Sequence, residues 1–118
     1  MAVVIKRAYE DASAEDGYRV LVDRLWPRGV SRERARIHLW LKSVAPSPDL
    51  RRWWNHDPKL MSEFASRYRA ELDSDPEAIA GVAQLRAIAA AHDPVTLLYG
   101  ARDPLVNHAV VLRDYLSG

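Results

Sequence analysis

The sequence predicts a single small α/β domain over residues 1–118, a layered fold with a mostly parallel sheet of about four short strands covered by helices. The first observation is three apolar runs without alternation, Val3–Lys6, Tyr18–Asp23 and Val95–Tyr99. Such runs are typical of parallel strands that are covered on both faces. The second observation is that helical patterns lie between and after the runs. The third is the length of 118 residues, which leaves room for one domain.

A fourth strand and the helices follow from local patterns. His38–Lys42 alternates between polar and apolar residues, which indicates a half-covered or edge strand. Four of the seven prolines follow aspartate, and Asp-Pro is typical of a helix start because aspartate is a favoured N-cap and proline suits the first helical position. The apolar stripes place Ile79 and Leu105 on the inner faces of their helices. The expected helices are Pro48–Trp54, Pro58–Leu72, Pro76–Ala91 and Pro104–Leu116, with a helical turn after Ser31.

Composition excludes several kinds of chemistry. The chain has no cysteine, which excludes disulfides, thiolate catalysis and cysteine-based zinc sites. The four histidines lack the spacing of a metal site, so we expect no bound metal, and the sequence leaves any cofactor open. The N-terminus lacks the order of a signal peptide, and no apolar run approaches the roughly 18 residues that span a bilayer. We therefore expect a cytoplasmic protein without a membrane partner.

Charge is distributed unevenly along the chain. The formal net charge is only +1, yet residues 1–59 carry twelve Lys and Arg against eight Asp and Glu, whereas residues 60–118 carry five against eight. The most basic stretch, Arg19–Arg36, holds six arginines. This stretch is either a solvated face or an anion site, because arginine suits bidentate recognition of carboxylate and phosphate.

Polar side chains follow the predicted strands at the points where they end. The carboxyl ends of parallel strands share one edge of the sheet, and ligand sites in open α/β sheets form in the crevice at that edge. The helix expected to start at Pro104 would point free N–H groups toward the same crevice and favour an anion. The residues concerned are Arg7 after the first strand, Asp23, Arg24 and Arg28 after the second, and Arg102, Asn107 and His108 after the third.

Tryptophans mark two further features. Trp26–Gly29 indicates a rigid turn at the rim of the crevice, since proline fixes one φ angle and glycine permits a positive one. We expect Trp26 itself to be mostly buried as a core anchor. Trp53 and Trp54 cannot both face inward from one helix, so one of them is expected to be exposed.

The segment Val20–Val30, VLVDRLWPRGV, is very similar to the signature of the YeaO-like proteins, a family of small bacterial proteins defined by domain of unknown function 488. The resemblance covers nearly the whole chain and implies an α/β fold and a cytoplasmic bacterial protein, but no particular reaction. It continues through Leu39–Lys42, Ala45–Ser47, Leu50–Arg51, His56–Pro58, Arg67–Leu72, Thr96–Tyr99 and Asn107–Leu112.

Longer members of the wider family carry motifs that this chain matches only in part. Their Cys-His-Arg near the last helix looks like Asn107-His108-Ala109 here, so only the histidine is kept. Their Asp-x-Arg at a strand end looks like Asp23-Arg24, with the arginine displaced by one position. Chemistry that depends on the missing cysteine is therefore not implied.

Three functional hypotheses follow. The first is an enzyme or binder of a small anionic, phosphate-bearing ligand, with Asp23 and His108 as the acid/base pair. Its ligand-binding residues would be Arg7, Arg24, Arg28, Arg102 and Asn107. The second is nucleic-acid binding through Arg19–Arg36, which the near-neutral net charge disfavours. The third is a regulatory interaction module that uses the tandem tryptophans, and the oligomeric state stays open. The first hypothesis predicts that Arg24, Arg28 and His108 converge on one pocket.

Overall fold

The computed structural model describes residues 2–118, which form one sheet of four strands together with five α-helices. The strands are β1 (Val3–Arg7), β2 (Tyr18–Leu21), β3 (Leu39–Trp40) and β4 (Val95–Tyr99). The helices are α1 (Arg32–Ala35), α2 (Pro48–Trp54), α3 (Met61–Ser74), α4 (Pro76–Ala91) and α5 (His108–Ser117). Within this described part of the chain, no helix combines the length and apolarity needed to cross a membrane.

The four strands pair in parallel in the order β1-β4-β2-β3. Val3 of β1 and Tyr18 of β2 both stand opposite Val95 of β4, so the carboxyl ends of these three strands lie along one edge. This arrangement confirms the α/β fold class and the parallel pairing on which the expected site depends. β2 ends two residues earlier than expected, although the N–H of Val22 still donates to the carbonyl of Leu98 at 3.1 Å.

The two faces of the sheet are covered by different parts of the chain. Val20 faces the large core that α2, α3, α4 and α5 cover. Leu21 and Leu98 face a smaller cluster on the opposite side, against which Trp26 and Trp40 pack. β4, which lies between β1 and β2, is buried at every residue, and this fits its nearly continuous apolar run.

An aromatic stack joins α2 and α3 within the core. The rings of Trp54 and Phe64 lie 3.7 Å apart between centroids, and the ring of Tyr68 follows 5.6 Å from Phe64. Burial raises the pKa of Tyr68 well above its usual value, and nearby carboxylates add to the shift, so its hydroxyl stays protonated. That hydroxyl donates to the carbonyl of Val44. Trp53 is 36% exposed, so one of the tandem tryptophans faces solvent as expected.

The helix expected to start at Pro104 begins later. Its first residue is His108, and Asn107 is the N-cap. Asp103 accepts hydrogen bonds from the first two backbone N–H groups after Pro104, at 2.8 and 3.3 Å, and this local turn replaces the first turn of the expected helix. Leu105 is consequently 76% exposed instead of facing the core.

Two smaller expectations are also wrong. Pro58–Leu60 forms a 3₁₀ turn, and the α-helix starts after it. Ile79 is 47% exposed, because the buried stripe of α4 runs through the residue before it. Trp26 is mostly buried, as expected, but it lies on the smaller cluster, where its Nε1 donates to the carbonyl of Val30 at 2.6 Å and its ring is edge-on to Trp40.

Candidate functional site

A cavity of about 220 Å³, here called the central cavity, opens at the carboxyl edge of the sheet. It lies where the chain leaves β2 and β4, next to the end of α2 and the start of α5. Three of the sequence-predicted site residues, Asp23, Arg24 and His108, line it together although they are far apart in sequence. The other lining residues are Ala45, Pro46, Arg51, Trp54, His56, Gly100 and Ala101.

Asp23 and His108 meet inside the central cavity. Nε2 of His108 lies 3.0 Å from the carbonyl oxygen of Val22 and 3.2 Å from Oδ1 of Asp23. The hydrogen bond goes to the carbonyl, so Oδ1 is buried without a hydrogen-bond partner within residues 2–118. Oδ2 accepts a hydrogen bond from the N–H of Gly100 at 2.8 Å. A Cβ at Gly100 would lie 3.0 Å from Oδ2, so the absence of a side chain there permits the close approach.

The protonation state of His108 follows from these contacts. A carbonyl oxygen only accepts hydrogen bonds, so Nε2 carries a proton. Burial lowers the pKa of His108 below its usual value of 6.5, and the opposing influences of Asp23 and the Val22 carbonyl do not restore it. His108 is therefore neutral at pH 7, and its acceptor nitrogen is Nδ1. The side chain of His108 is 11% exposed.

One nitrogen of the Arg24 guanidinium is hydrogen-bonded within residues 2–118, and another is not. Its Nη2 donates to the carbonyls of Ala45 and Pro46, at 3.4 and 3.3 Å. Its Nε is buried and has no hydrogen-bond partner in the part of the chain that the structure describes. A buried donor without a partner costs about 1–3 kcal/mol. The Nε–H is therefore a donor that an acceptor group in the cavity would satisfy.

The sequence patterns did not single out Arg51 and His56, which also line the central cavity. After α2 ends at Trp54, Asn55 and His56 adopt left-handed conformations with φ of 49° and 53°. Such conformations are uncommon for residues other than glycine and cluster at functional sites. This turn places the His56 ring 4.8 Å from the Trp54 ring. Both residues fall in segments that resemble the YeaO-like proteins. Their spacing in the sequence, however, does not predict that they lie near the strand ends.

The remaining sequence-predicted ligand residues lie outside the central cavity. Nε of Arg7 donates to the carbonyl of Ala101 at 2.9 Å and so supports the loop after β4. Asn107 is fully buried, and both its side-chain polar atoms bond to nearby backbone as it caps α5. Arg102 lines a neighbouring cavity.

Arg28 does not converge with Arg24 and His108 as expected. After β2 the chain turns toward the opposite face of the sheet, where Trp26 packs, and Arg28 goes with it. Arg28 is exposed at the tip of the turn and is not part of the lining of the central cavity. The turn itself forms as predicted, with a φ of 80° at Gly29.

The basic stretch Arg19–Arg36 does not form one surface. Arg19 is only 2% exposed and pairs with Asp16 inside the fold. The guanidinium of Arg32 lies 4.5 Å from the centre of the Trp26 ring. A nucleic acid that followed this stretch would therefore meet fewer free charges than the sequence count suggests.

The charge balance of the central cavity favours an anion. Arg24 and Arg51 are cations, and Asp23 supplies the single carboxylate of the lining. Within residues 2–118, no group of three His, Asp or Glu side chains is arranged to hold a metal ion. The arginines are therefore the groups that can hold an anion here.

Residues 2–118 match the family model of the inactive DUF488-N3 subclade. The chain belongs to this family. It is similar to the uncharacterized protein Rv3073c of Mycobacterium tuberculosis strain H37Rv, with 42% identity over 116 residues that cover 98% of this chain and 94% of that protein. It is also similar to the uncharacterized protein YeaO of Escherichia coli K12, with 38% identity over 119 residues that cover 98% and 97%. No solved structure matches the chain.

Membership of this subclade confirms the YeaO-like, bacterial family that the resemblance implied. Asn107 and Ala109, on either side of His108, have side chains without exposed surface. His108 alone of the three faces the central cavity.

Proposed function

We propose that this protein binds a small anionic, phosphate-bearing ligand in the central cavity and does not convert it. The observation that carries the proposal is the convergence of Arg24, Arg51 and His56 on one cavity at the carboxyl edge of a parallel sheet. Open α/β sheets bind ligands at this edge. Arginine is the side chain best suited to phosphate, because its planar guanidinium binds two oxygens at once.

Two buried polar atoms support the proposal independently. Oδ1 of Asp23 and Nε of Arg24 have no hydrogen-bond partner within the described residues. Nearly all buried polar groups in native proteins are paired, so such atoms call for an explanation. An oxygen of a bound anion is the kind of acceptor that would satisfy Nε of Arg24.

Binding without turnover fits the residues that face the cavity. His108 already donates through Nε2 to the Val22 carbonyl, so only Nδ1 could accept a proton in a reaction. The description of the family model as inactive points the same way, and the chain has no cysteine that could act as a nucleophile. Asp23 and His108, the acid/base pair of the sequence-based hypothesis, then shape and orient the site instead of moving a proton.

Calorimetric titration of Arg51→Gln tests the proposal. The side chain of Arg51 makes no hydrogen bond within residues 2–118 and lies on the exposed side of α2, so the variant should fold normally. We expect affinities for inorganic phosphate and glycerol 3-phosphate to fall about tenfold, the effect of losing one charge-assisted hydrogen bond of about 1.5 kcal/mol.

The matched control is Arg52→Gln, which removes a neighbouring arginine that pairs with Asp49 and does not line the cavity. Its affinities should equal those of the unmodified protein. Equal affinities for all three proteins, or no binding of either phosphate at millimolar concentration, would contradict the proposal. A steep loss of nucleic-acid affinity with salt, with no phosphate binding, would favour the nucleic-acid hypothesis instead.

A further inference from the structure

The central cavity is the middle of a longer groove. His56 and Ala101 line both the central cavity and a second cavity of about 280 Å³, here called the Arg102 cavity because it also contains Arg102. Arg24 and Ala45 line both the central cavity and a third cavity of about 310 Å³. We call the third one the Glu71 cavity, after its half-buried carboxylate. Because neighbouring cavities share lining residues, the three lie in a row, here called the groove.

The central cavity alone is small for an organic ligand. Cavities that hold small organic ligands measure about 300–1,000 Å³, and the central cavity, at about 220 Å³, lies below that range. It is large enough for a phosphate group with a few attached atoms. The rest of an organic ligand must lie in the Arg102 cavity, in the Glu71 cavity, or in both.

The charges along the groove place the phosphate in the middle. Arg24 and Arg51 lie in the central cavity, whereas Glu71 and Asp75 line the Glu71 cavity. The Glu71 carboxylate accepts from the N–H and hydroxyl of Ser47, at 2.9 and 2.6 Å. These carboxylates repel a second phosphate on the Glu71 side, and Asp103 offsets the charge of Arg102 on the other side, so the groove disfavours a polyphosphate chain.

The two outer cavities suit different organic groups. In the Glu71 cavity, Oδ2 of Asp75 accepts from the N–H of Ala78 at 3.2 Å and leaves Oδ1 to accept from a ligand hydroxyl or amine. The Arg102 cavity is lined by Ala101 and Val106, by His56, and by the oppositely charged Arg102 and Asp103. A group that enters the Glu71 cavity should therefore carry hydrogen-bond donors, and a group that enters the Arg102 cavity needs no net charge.

We propose that the ligand is a phosphodiester, whose phosphate lies in the central cavity and whose two organic arms lie in the Arg102 and Glu71 cavities, the second arm carrying a hydroxyl or an amine. This inference rests on the proposed function, since it requires an anion in the central cavity. A diester provides one negative charge in the middle and an uncharged or cationic group at either end. A monoester or a pyrophosphate fills at most one of the outer cavities.

Titration calorimetry with four probes and two variants tests this inference. The probes are the monoester glycerol 3-phosphate, the diesters glycerophosphoethanolamine and thymidylyl-(3′→5′)-thymidine, and inorganic pyrophosphate. At least one diester should bind about tenfold more tightly than the monoester, and pyrophosphate should gain nothing over it. A preference for the amine-bearing diester assigns the arms to a polyol and an amine, and a preference for the dinucleotide assigns them to nucleosides; both support the diester class.

The variant Ser74→Tyr fills the Glu71 cavity from an exposed position at the end of α3. It should reduce diester affinity to that of the monoester and leave monoester affinity unchanged. Ser66→Tyr, which adds the same bulk to an exposed position of the same helix outside that lining, is the control and should change neither.

Two outcomes would overturn the inference. One is monoester or pyrophosphate affinity equal to that of both diesters; the other is diester binding that Ser74→Tyr leaves intact. In either case, a loss of monoester binding in Arg51→Gln would still uphold the anion site, so the two proposals fail separately.

Discussion

An aspartate and an arginine lie at each end of β2, but the polar atoms of the two pairs are satisfied to different degrees. At the start of the strand, Asp16 accepts hydrogen bonds from the N–H of Ser13 at 2.9 Å, from Nζ of Lys6 at 3.1 Å and from Arg19. Arg19 also donates through Nε and Nη2 to the carbonyl of Ala35, at 3.0 and 2.7 Å. This cluster is complete within the fold.

The cluster at the end of β2 is incomplete by the same measure. Oδ1 of Asp23 and Nε of Arg24 are buried without a hydrogen-bond partner in residues 2–118. The comparison separates two uses of buried charge in one small domain. A complete ionic network fixes the fold, whereas an incomplete one beside a cavity leaves donors and acceptors for a ligand.

Of the substitutions at the two ends of β2, Asp16→Asn should destabilise the protein the most. The neutral amide leaves Lys6 and the buried Arg19 without a counter-charge, and removing one partner of a buried ion pair costs about 3–5 kcal/mol. The free energy of unfolding from urea titration at pH 7 should fall by that amount, and phosphate affinity should not change. A loss below about 1 kcal/mol would show that the complete cluster is not what stabilises this end of the strand.

The same cluster predicts a dependence of stability on acid. Burial alone would raise the pKa of Asp16, but hydrogen bonds from Ser13, Lys6 and Arg19 outweigh it and bring the pKa below 3.8. The stabilisation is therefore present above the unfolded-state pKa of about 3.9 and is lost as the pH falls through the folded-state pKa. Asp16→Asn should lack this acid-dependent loss.

Asp23→Asn is the matched change at the other end of β2, and its effect on stability should be smaller. The amide oxygen can still accept from the N–H of Gly100, and the change removes a carboxylate oxygen that had no hydrogen-bond partner in the described residues. We expect the free energy of unfolding at pH 7 to change by less than about 1 kcal/mol. A loss equal to that of Asp16→Asn would show that both clusters are structural and would weaken the proposed ligand site.

The sequence predicted the sheet better than it predicted the site. Continuous apolar runs identified Val3–Lys6, Tyr18–Asp23 and Val95–Tyr99 because strands covered on both faces need apolar residues at every position. Parallel pairing then placed Asp23, Arg24 and His108 in one cavity. This part of the site depends on sheet topology, which the periodicity of the sequence reveals.

The rest of the site depends on turns that periodicity does not reveal. His56 reaches the cavity through two successive left-handed residues, and nothing in its neighbours' spacing indicates that conformation. Arg28 was misplaced because the chain crosses to the other face of the sheet after β2. Asn107 was misassigned because Asp103 caps a local turn, which leaves Asn107 to cap α5. The side-chain hydrogen bonds of Asp103 and Asn107 therefore decide where the local turn and α5 begin.

The smallest expected effect concerns His108, which belongs to the incomplete cluster but contributes to stability through its burial. Because burial lowers its folded-state pKa below 6.5, the unfolded chain binds a proton more readily than the folded chain, and acidification favours unfolding. Its contribution is fully present above about pH 6.5 and declines as the pH falls toward the folded-state pKa.

Urea titrations from pH 7.5 to 5 should therefore show a shallower decline in the free energy of unfolding for His108→Gln than for the unmodified protein, whatever the absolute stability of the variant. His92 is exposed, so His92→Gln is the control. It removes a histidine that is not buried, and its pH profile should run parallel to that of the unmodified protein. Parallel pH profiles for His108→Gln and the unmodified protein would mean that His108 is not buried in its neutral form beside Asp23. The protonation state assigned to the incomplete cluster at the end of β2 would then be wrong.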